Sequence, residues 1–120
     1  MSGKYLLDTC FMIGLQNRNT DGLAILKQKN VTLQECAYSV ITRLELLSFP
    51  NLNATDETAL NTLLGSMLCL NLSDVIQSET IKIRRRQKVK LPDAMILATA
   101  KAHSLELLTL DQKLIELNRS

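Results

Sequence analysis

Short apolar runs alternate with longer amphipathic stretches along this chain, in the rhythm of an α/β protein. Tyr5-Leu6-Leu7 has no polar face and stops at Asp8. Such a run predicts a strand buried on both sides. Cys36-Ala37-Tyr38-Ser39, Leu68-Cys69-Leu70 and Glu106-Leu107-Leu108-Thr109 repeat the pattern as second, third and fourth strands. Between them, Phe11-Met12-Ile13 and Leu23-Ala24-Ile25-Leu26 suggest helical pieces, parted by the polar Gln16 to Asp21. Ser39 is placed to cap a helix through Ile41, Leu44, Leu47 and Phe49, which Pro50 ends. Asn51 to Thr55 reads as a loop. Leu60, Leu63, Leu64 and Met67 then share one helix face. Asp74 followed by Gln77 resembles a capping box, opening a helix with Ile76, Thr80 and Ile83 on one side. Leu114, Ile115 and Leu117 give a last helical turn or two. Strands separated by helices predict a parallel sheet covered on both faces, in a single domain over residues 1–120.

One helix start stands out. In Lys90-Leu91-Pro92-Asp93-Ala94-Met95-Ile96-Leu97-Ala98-Thr99-Ala100, an acid precedes seven uncharged residues. Pro92 suits a first helical turn, and Asp93 would sit at the positive end of the helix dipole. Asp93 is then either an acid that satisfies free backbone N–H groups or a site acid held at the edge of the core.

The other acids bear on that choice. In parallel sheets ligands bind beyond the carboxyl ends of the strands. Asp8 closes the first strand, Asp111 follows the last, and Asp93 opens the helix before it. Glu45, four residues from Ile41 and next to Leu44, falls near the apolar side of its helix. Four carboxylates at one end of one sheet would repel each other, and a divalent cation relieves this. Oxygen-only ligands favour magnesium or manganese over zinc.

Composition narrows the classes. Apolar residues make up 46% of the 120, enough for a real core. A net charge of +2 does not by itself predict a polyanion partner. With 3% aromatic residues and no Trp, a surface that stacks bases on rings is not expected. Cys10, Cys36 and Cys69 form no C-x-x-C pair or zinc pattern, which fits free thiols in a reducing cytoplasm. The start meets Asp8 too soon for a signal peptide, and the uncharged run Thr58 to Ser73 is short for a membrane span. These features lead us to expect a soluble, cytoplasmic protein.

The segment Lys82 to Lys90 holds six of the 14 basic residues. Alone it reads as a solvated helix end; beside an acidic metal site, Arg84, Arg85, Arg86, Lys88 and Lys90 become candidates for contact with the phosphates of a substrate. Thr9 and Thr109 flank site acids and could orient metal waters or be ordinary hydrogen-bonded threonines. Lys101 and His103 are expected at the surface.

These residues resemble the PIN-domain ribonucleases, and among them the VapC-type toxins of bacterial toxin–antitoxin pairs. Tyr5-Leu6-Leu7-Asp8-Thr9 looks like the opening strand and first metal acid. Ser39-Val40-Ile41-Thr42-Arg43-Leu44-Glu45-Leu46-Leu47 looks like the second block, Leu91-Pro92-Asp93-Ala94 the third, and Leu108-Thr109-Leu110-Asp111 the fourth. Each block alone is a weak motif; four in order are specific. Two positions depart: Cys10 stands where the family usually has Asn, and Leu114 is the nearest apolar residue where an aromatic often follows the fourth acid. The resemblance implies a three-layer α/β/α sandwich with a mostly parallel sheet and magnesium- or manganese-dependent RNA cleavage. It also implies homodimers and a cognate antitoxin. Asp8 and Asp93 would be the main metal ligands, with Glu45 and Asp111 completing the catalytic set. Two other classes compete. A phosphorelay receiver domain would need adjacent acids after the first strand, a mid-chain phospho-acceptor Asp and a Lys after a late strand, whereas only Asp8 follows the first strand here and the stretch around Asn61 to Cys69 has no acid. A non-catalytic binding module on the same fold remains the alternative.

Overall fold

A computed structural model describes residues 3–119. Its four strands are β1 (Tyr5–Leu7), β2 (Cys36–Ser39), β3 (Leu68–Leu70) and β4 (Glu106–Leu108). All neighbouring pairs are parallel, in the order β3-β2-β1-β4. The helices are α1 (Thr9–Gln16), α2 (Thr20–Gln28), α3 (Val40–Leu47) and α4 (Ala54–Gly65), then α5 (Asp74–Arg86), α6 (Leu91–Ala102) and α7 (Gln112–Asn118).

The apolar runs split between two cores because side chains alternate along a strand. Leu6, Ala37 and Leu107 point into one core with Ile76, Ile83, Ile96, Leu97 and Leu114, from α5, α6 and α7. Leu7, Cys36, Tyr38 and Leu108 point into the other with Phe11, Met12, Leu46, Leu60 and Leu64, from α1, α3 and α4. The result is the expected three-layer sandwich, with a wholly parallel sheet between two helical layers. The chain moves one way across the sheet from β1 to β3, then crosses back to place β4 on the far side of β1. Reversal of direction with right-handed crossovers puts the two sets of helices on opposite faces. It also opens a crevice at the carboxyl ends of β1 and β4, where Asp8 and Asp111 lie.

Two local expectations change. The face of α3 is rotated: its buried residues are Thr42 and Leu46, whereas Leu44 is 51% exposed. Phe49 lies beyond the helix and is 48% exposed. Packing against α1 and α4 on one side and α6 on another selected a different stripe from the most apolar one. The cap of α5 is Ser73, whose hydroxyl accepts from Ile76 N at 3.3 Å. Asp74 is the first helical residue, and Gln77 Nε2 donates to Leu72 O at 2.8 Å instead of closing a box. The three cysteines are free thiols. No helix among the described residues is long and apolar enough to cross a membrane.

Candidate functional site

Each acid arrives at the carboxyl edge of the sheet by a different local device. Asp8 follows β1 and caps α1, its Oδ1 accepting from Phe11 N at 2.7 Å. Asp111 caps α7, its Oδ1 accepting from Lys113 N at 2.9 Å. Capping thus fixes both acids where strand turns into helix. Asp93 is different. It stands in the first turn of α6, whose cap residue Lys90 makes no side-chain capping bond. Pro92 there brings no N–H of its own, so the helix start asks for less capping. Glu45 is half-buried on α3.

Asp8, Glu45, Asp93 and Asp111 line one cleft of about 270 Å³, together with Thr9, Cys10, Ile13, Ile96 and Leu114. Threonines hold two of the acids. The Thr109 hydroxyl donates to Asp8 Oδ2 and accepts from Asp111 N at 3.0 Å, tying the first acid to the loop of the last. Thr9 Oγ1 donates to Glu45 Oε1 at 2.7 Å. Both threonines therefore address carboxylates of the protein.

The electrostatics match the crowding. Asp8 is 2% exposed, and burial pushes its carboxyl up to about 6. The bonds from Thr109 and Phe11 N oppose that rise, while Asp111 and Asp93 add to it. The Asp93 carboxyl is also raised, by burial and then by Asp111 and Glu45, against the pull of Lys90 and Lys113. Burial raises the Cys10 thiol, and the charges of Asp8, Asp111 and Asp93 raise it further.

Among the described residues no three His, Cys, Asp or Glu side chains close around one point as direct ligands of an ion. The donor set nevertheless fits a hard divalent cation that keeps several waters. Magnesium is characteristically held by one or two carboxylates directly, with other groups acting through water. All four charged donors here are oxygen donors, and their mutual repulsion is what a cation would relieve.

The basic run is divided between the two ends of the molecule. Lys90 stands close enough to Asp93 to lower its carboxyl pKa. Arg86 instead lines a groove with Lys101, Ser104 and Leu105, where the chain enters β4 from the opposite edge of the sheet. Arg86 also lies 3.9 Å from Glu79, and Arg84 Nε donates to Val89 O at 3.2 Å. No residue of α5 lines the acidic cleft. Lys113 lies close enough to act on Asp93 and drew no notice in the sequence, while Ile13 and Ile96, read there only as helical apolar positions, and Cys10, read as the departure from the family's Asn, line the cleft beside the acids. Helical spacing could have found Ile96, three residues after Asp93 on the same face.

Fold and cleft together define an α/β/α domain that presents carboxylates at the switch point of a parallel sheet. The PIN domain family model matches residues 5–119, and the chain belongs to that family. Among curated proteins none matches. Solved structures do. A toxin–antitoxin complex from Klebsiella pneumoniae is 32% identical over 92% of this chain and 88% of that one, with a TM-score of 0.78. FitAcB from Neisseria gonorrhoeae is 25% identical over 96% and 93%, with a TM-score of 0.72. A DNA-bound VapBC from Salmonella typhimurium shares the fold, with a TM-score of 0.76 at 20% identity over 95% and 91%.

Proposed function

We propose that this protein is a VapC-type toxin, a magnesium- or manganese-dependent endoribonuclease of a toxin–antitoxin pair that acts in the cytoplasm. PIN domain toxins are nucleases, and a 32% identical relative is part of a toxin–antitoxin complex. The observation that carries the reading is the cleft itself. Four acids from four separate chain segments line it, and two of them are raised by burial and by the other acids' charge.

In this reading Asp8 and Asp93 are the main metal-holding residues, with Asp111 and Glu45 acting directly or through water. A divalent cation held there supplies a lowered pKa for water and a counter-charge for the phosphodiester. The chain's own residues do the rest. Phe11 N and Thr109 fix both oxygens of Asp8. Thr9 fixes one oxygen of Glu45, which leaves the other free to orient the attacking water. Ile13, Ile96 and Leu114 give the cleft apolar walls that strengthen these charges. Lys90 and Lys113, whose charges both act on Asp93, would meet an RNA phosphate at the cleft. Arg84, Arg85, Arg86 and Lys88 would meet phosphates only of an RNA long enough to follow α5.

The partner is a small antitoxin whose segment crosses the cleft and presents a basic side chain, an Arg in our reading, to the carboxylates. The toxin itself is proposed to be a homodimer. The test is cleavage of RNA by the purified chain with magnesium, with manganese and with chelator, beside Asp93→Asn. Metal-stimulated cleavage abolished in the variant supports the reading. No cleavage under any of these conditions leaves the non-catalytic binding module in its place.

A further inference from the structure

Threonine hydroxyls inside helices have a standard outlet, the carbonyl one turn back. Thr58, Thr62, Thr80 and Thr99 all take it, donating to Ala54, Thr58, Ile76 and Met95 at 2.7–2.9 Å. Thr42 does not. It is the third residue of α3, so the residue four back is Tyr38, which lies in β2. The Thr42 side chain is fully buried, and its hydroxyl lies 3.2 Å from that of Thr9. Thr9 in turn donates to Glu45 Oε1 at 2.7 Å. A hydroxyl has one proton to give. With the Thr9 proton spent on Glu45, the Thr42 proton is the one available to Thr9.

We propose that Thr42 is a positioning residue for Glu45, acting through Thr9 in a two-hydroxyl relay between α3 and α1. Thr42 and Glu45 are three residues apart and share a helix face, but the shorter side chain reaches the carboxylate only by way of the neighbouring helix. The relay starts at an immobile group. Thr42 is locked by burial and by the stiffness of its β-branched side chain, so the position of Thr9 Oγ1 is defined from behind. Glu45 is long and half-buried, and the Thr9 hydroxyl holds one of its oxygens within reach of Asp93's charge. Thr9 is also bonded in sequence to Asp8. The relay therefore sets the separation of two of the acids that line the cleft. What Glu45 then does there rests on the nuclease reading; the relay does not.

Three arms test it. The first is the crystal structure of metal-free Thr42→Val, with Thr42→Ser beside it. Glu45 should spread over several rotamers in the Thr42→Val variant and return to Thr9 in the Thr42→Ser variant. Thr9→Val removes the middle of the relay at a less buried position and should release Glu45 even if the Thr42→Val chain folds poorly. The second arm is manganese binding followed by electron paramagnetic resonance. Loss of a residue that orients a ligand weakens metal binding roughly tenfold or more, so Thr42→Val should do so and Thr42→Ser should not. The third arm is RNA cleavage in a double-mutant cycle with Glu45→Gln. Thr42→Val should lower kcat with KM unchanged and add nothing once Glu45 is gone. A single unmoved Glu45 rotamer in both Thr42→Val and Thr9→Val, or effects of Thr42→Val and Glu45→Gln that add in full, would overturn the relay. If the unmodified chain neither binds manganese nor cuts RNA, the nuclease reading fails while the Glu45 rotamer still decides the relay.

Discussion

Replacing Asp8 by asparagine tests the electrostatic reading of the cleft by stability alone. Asp8 is almost wholly buried, with its carboxyl raised from 3.8 to about 6, chiefly by desolvation. The folded chain therefore keeps a proton on Asp8 at pH values where the unfolded chain has lost it. This group's contribution to stability is fully present below about pH 4 and is lost as pH rises through about 6. At about 1.4 kcal/mol per pH unit, the loss amounts to ~3 kcal/mol at neutral pH. The Asp8→Asn side chain keeps the shape and stays neutral at every pH. Its carbonyl oxygen can accept from Phe11 N, and its amide can donate to the Thr109 hydroxyl, which then turns its proton elsewhere. Any fixed cost of that rearrangement cancels when the two chains are compared at two pH values. The assay is urea unfolding of both proteins in metal-free buffer near pH 4 and near pH 8. The Asp8→Asn chain should gain ~3 kcal/mol relative to the unmodified one between these values, on the order of 10 °C in melting temperature for a domain of this size. Millimolar magnesium should then stabilise the unmodified chain and leave the variant nearly unmoved. A difference between the two chains that is the same at both pH values would refute the reasoning. It would mean that Asp8 ionises in the cleft at no cost.

Other outcomes follow from the same structure. RNA cleavage by Asp93→Asn should fall on the order of a hundredfold or more without loss of fold, measured by single-turnover rates beside a thermal melt. Changing Arg84, Arg85 and Arg86 together to Ala should flatten the salt dependence of long-RNA binding while leaving binding of a short oligonucleotide unchanged, because none of the three lines the acidic cleft. Equal loss for both lengths would place them at the cleft. Ser104 sits at φ 53° just past the end of α6, with Leu105 N closing onto Ala100 O at 2.8 Å. Ser104→Gly should therefore stabilise the chain by about 0.5–1 kcal/mol in chemical denaturation. Leu46→Ala, at a fully buried site, should cost about 2–5 kcal/mol in the same assay.

Much of this molecule was legible in one dimension. A run such as Tyr5-Leu6-Leu7 has no polar side to show to water, so it became a strand inside the sheet, whereas the equally apolar Leu68-Cys69-Leu70 became the edge strand, with Leu68 38% exposed. β1 and β2 pass directly into helices capped by Asp8 and Ser39, and a short loop after β4 leads to the cap Asp111. Local chemistry thus marked the edge of the sheet where the acids stand. Tertiary structure decided the remainder. Which stripe of α3 faces inward depended on its neighbours, so Thr42 is buried and Leu44 exposed, against the rank order of their hydropathy. The cap of α5 stands one residue earlier, at Ser73, whose hydroxyl takes Ile76 N, and Asp74 is the first helical residue. The basic run looked like one patch along the chain, but α5 carries Arg86 to one end of the sheet while the segment after it returns Lys90 to the other. The bond between Thr109 and Asp8 joins residues 101 apart, and no local pattern encodes a pairing at that range. Residue type and spacing determined which side chains could reach the carboxyl edge. Only the packing of α1, α3 and α6 around β1 determined that Asp8 would be buried there, and burial is what raises its pKa.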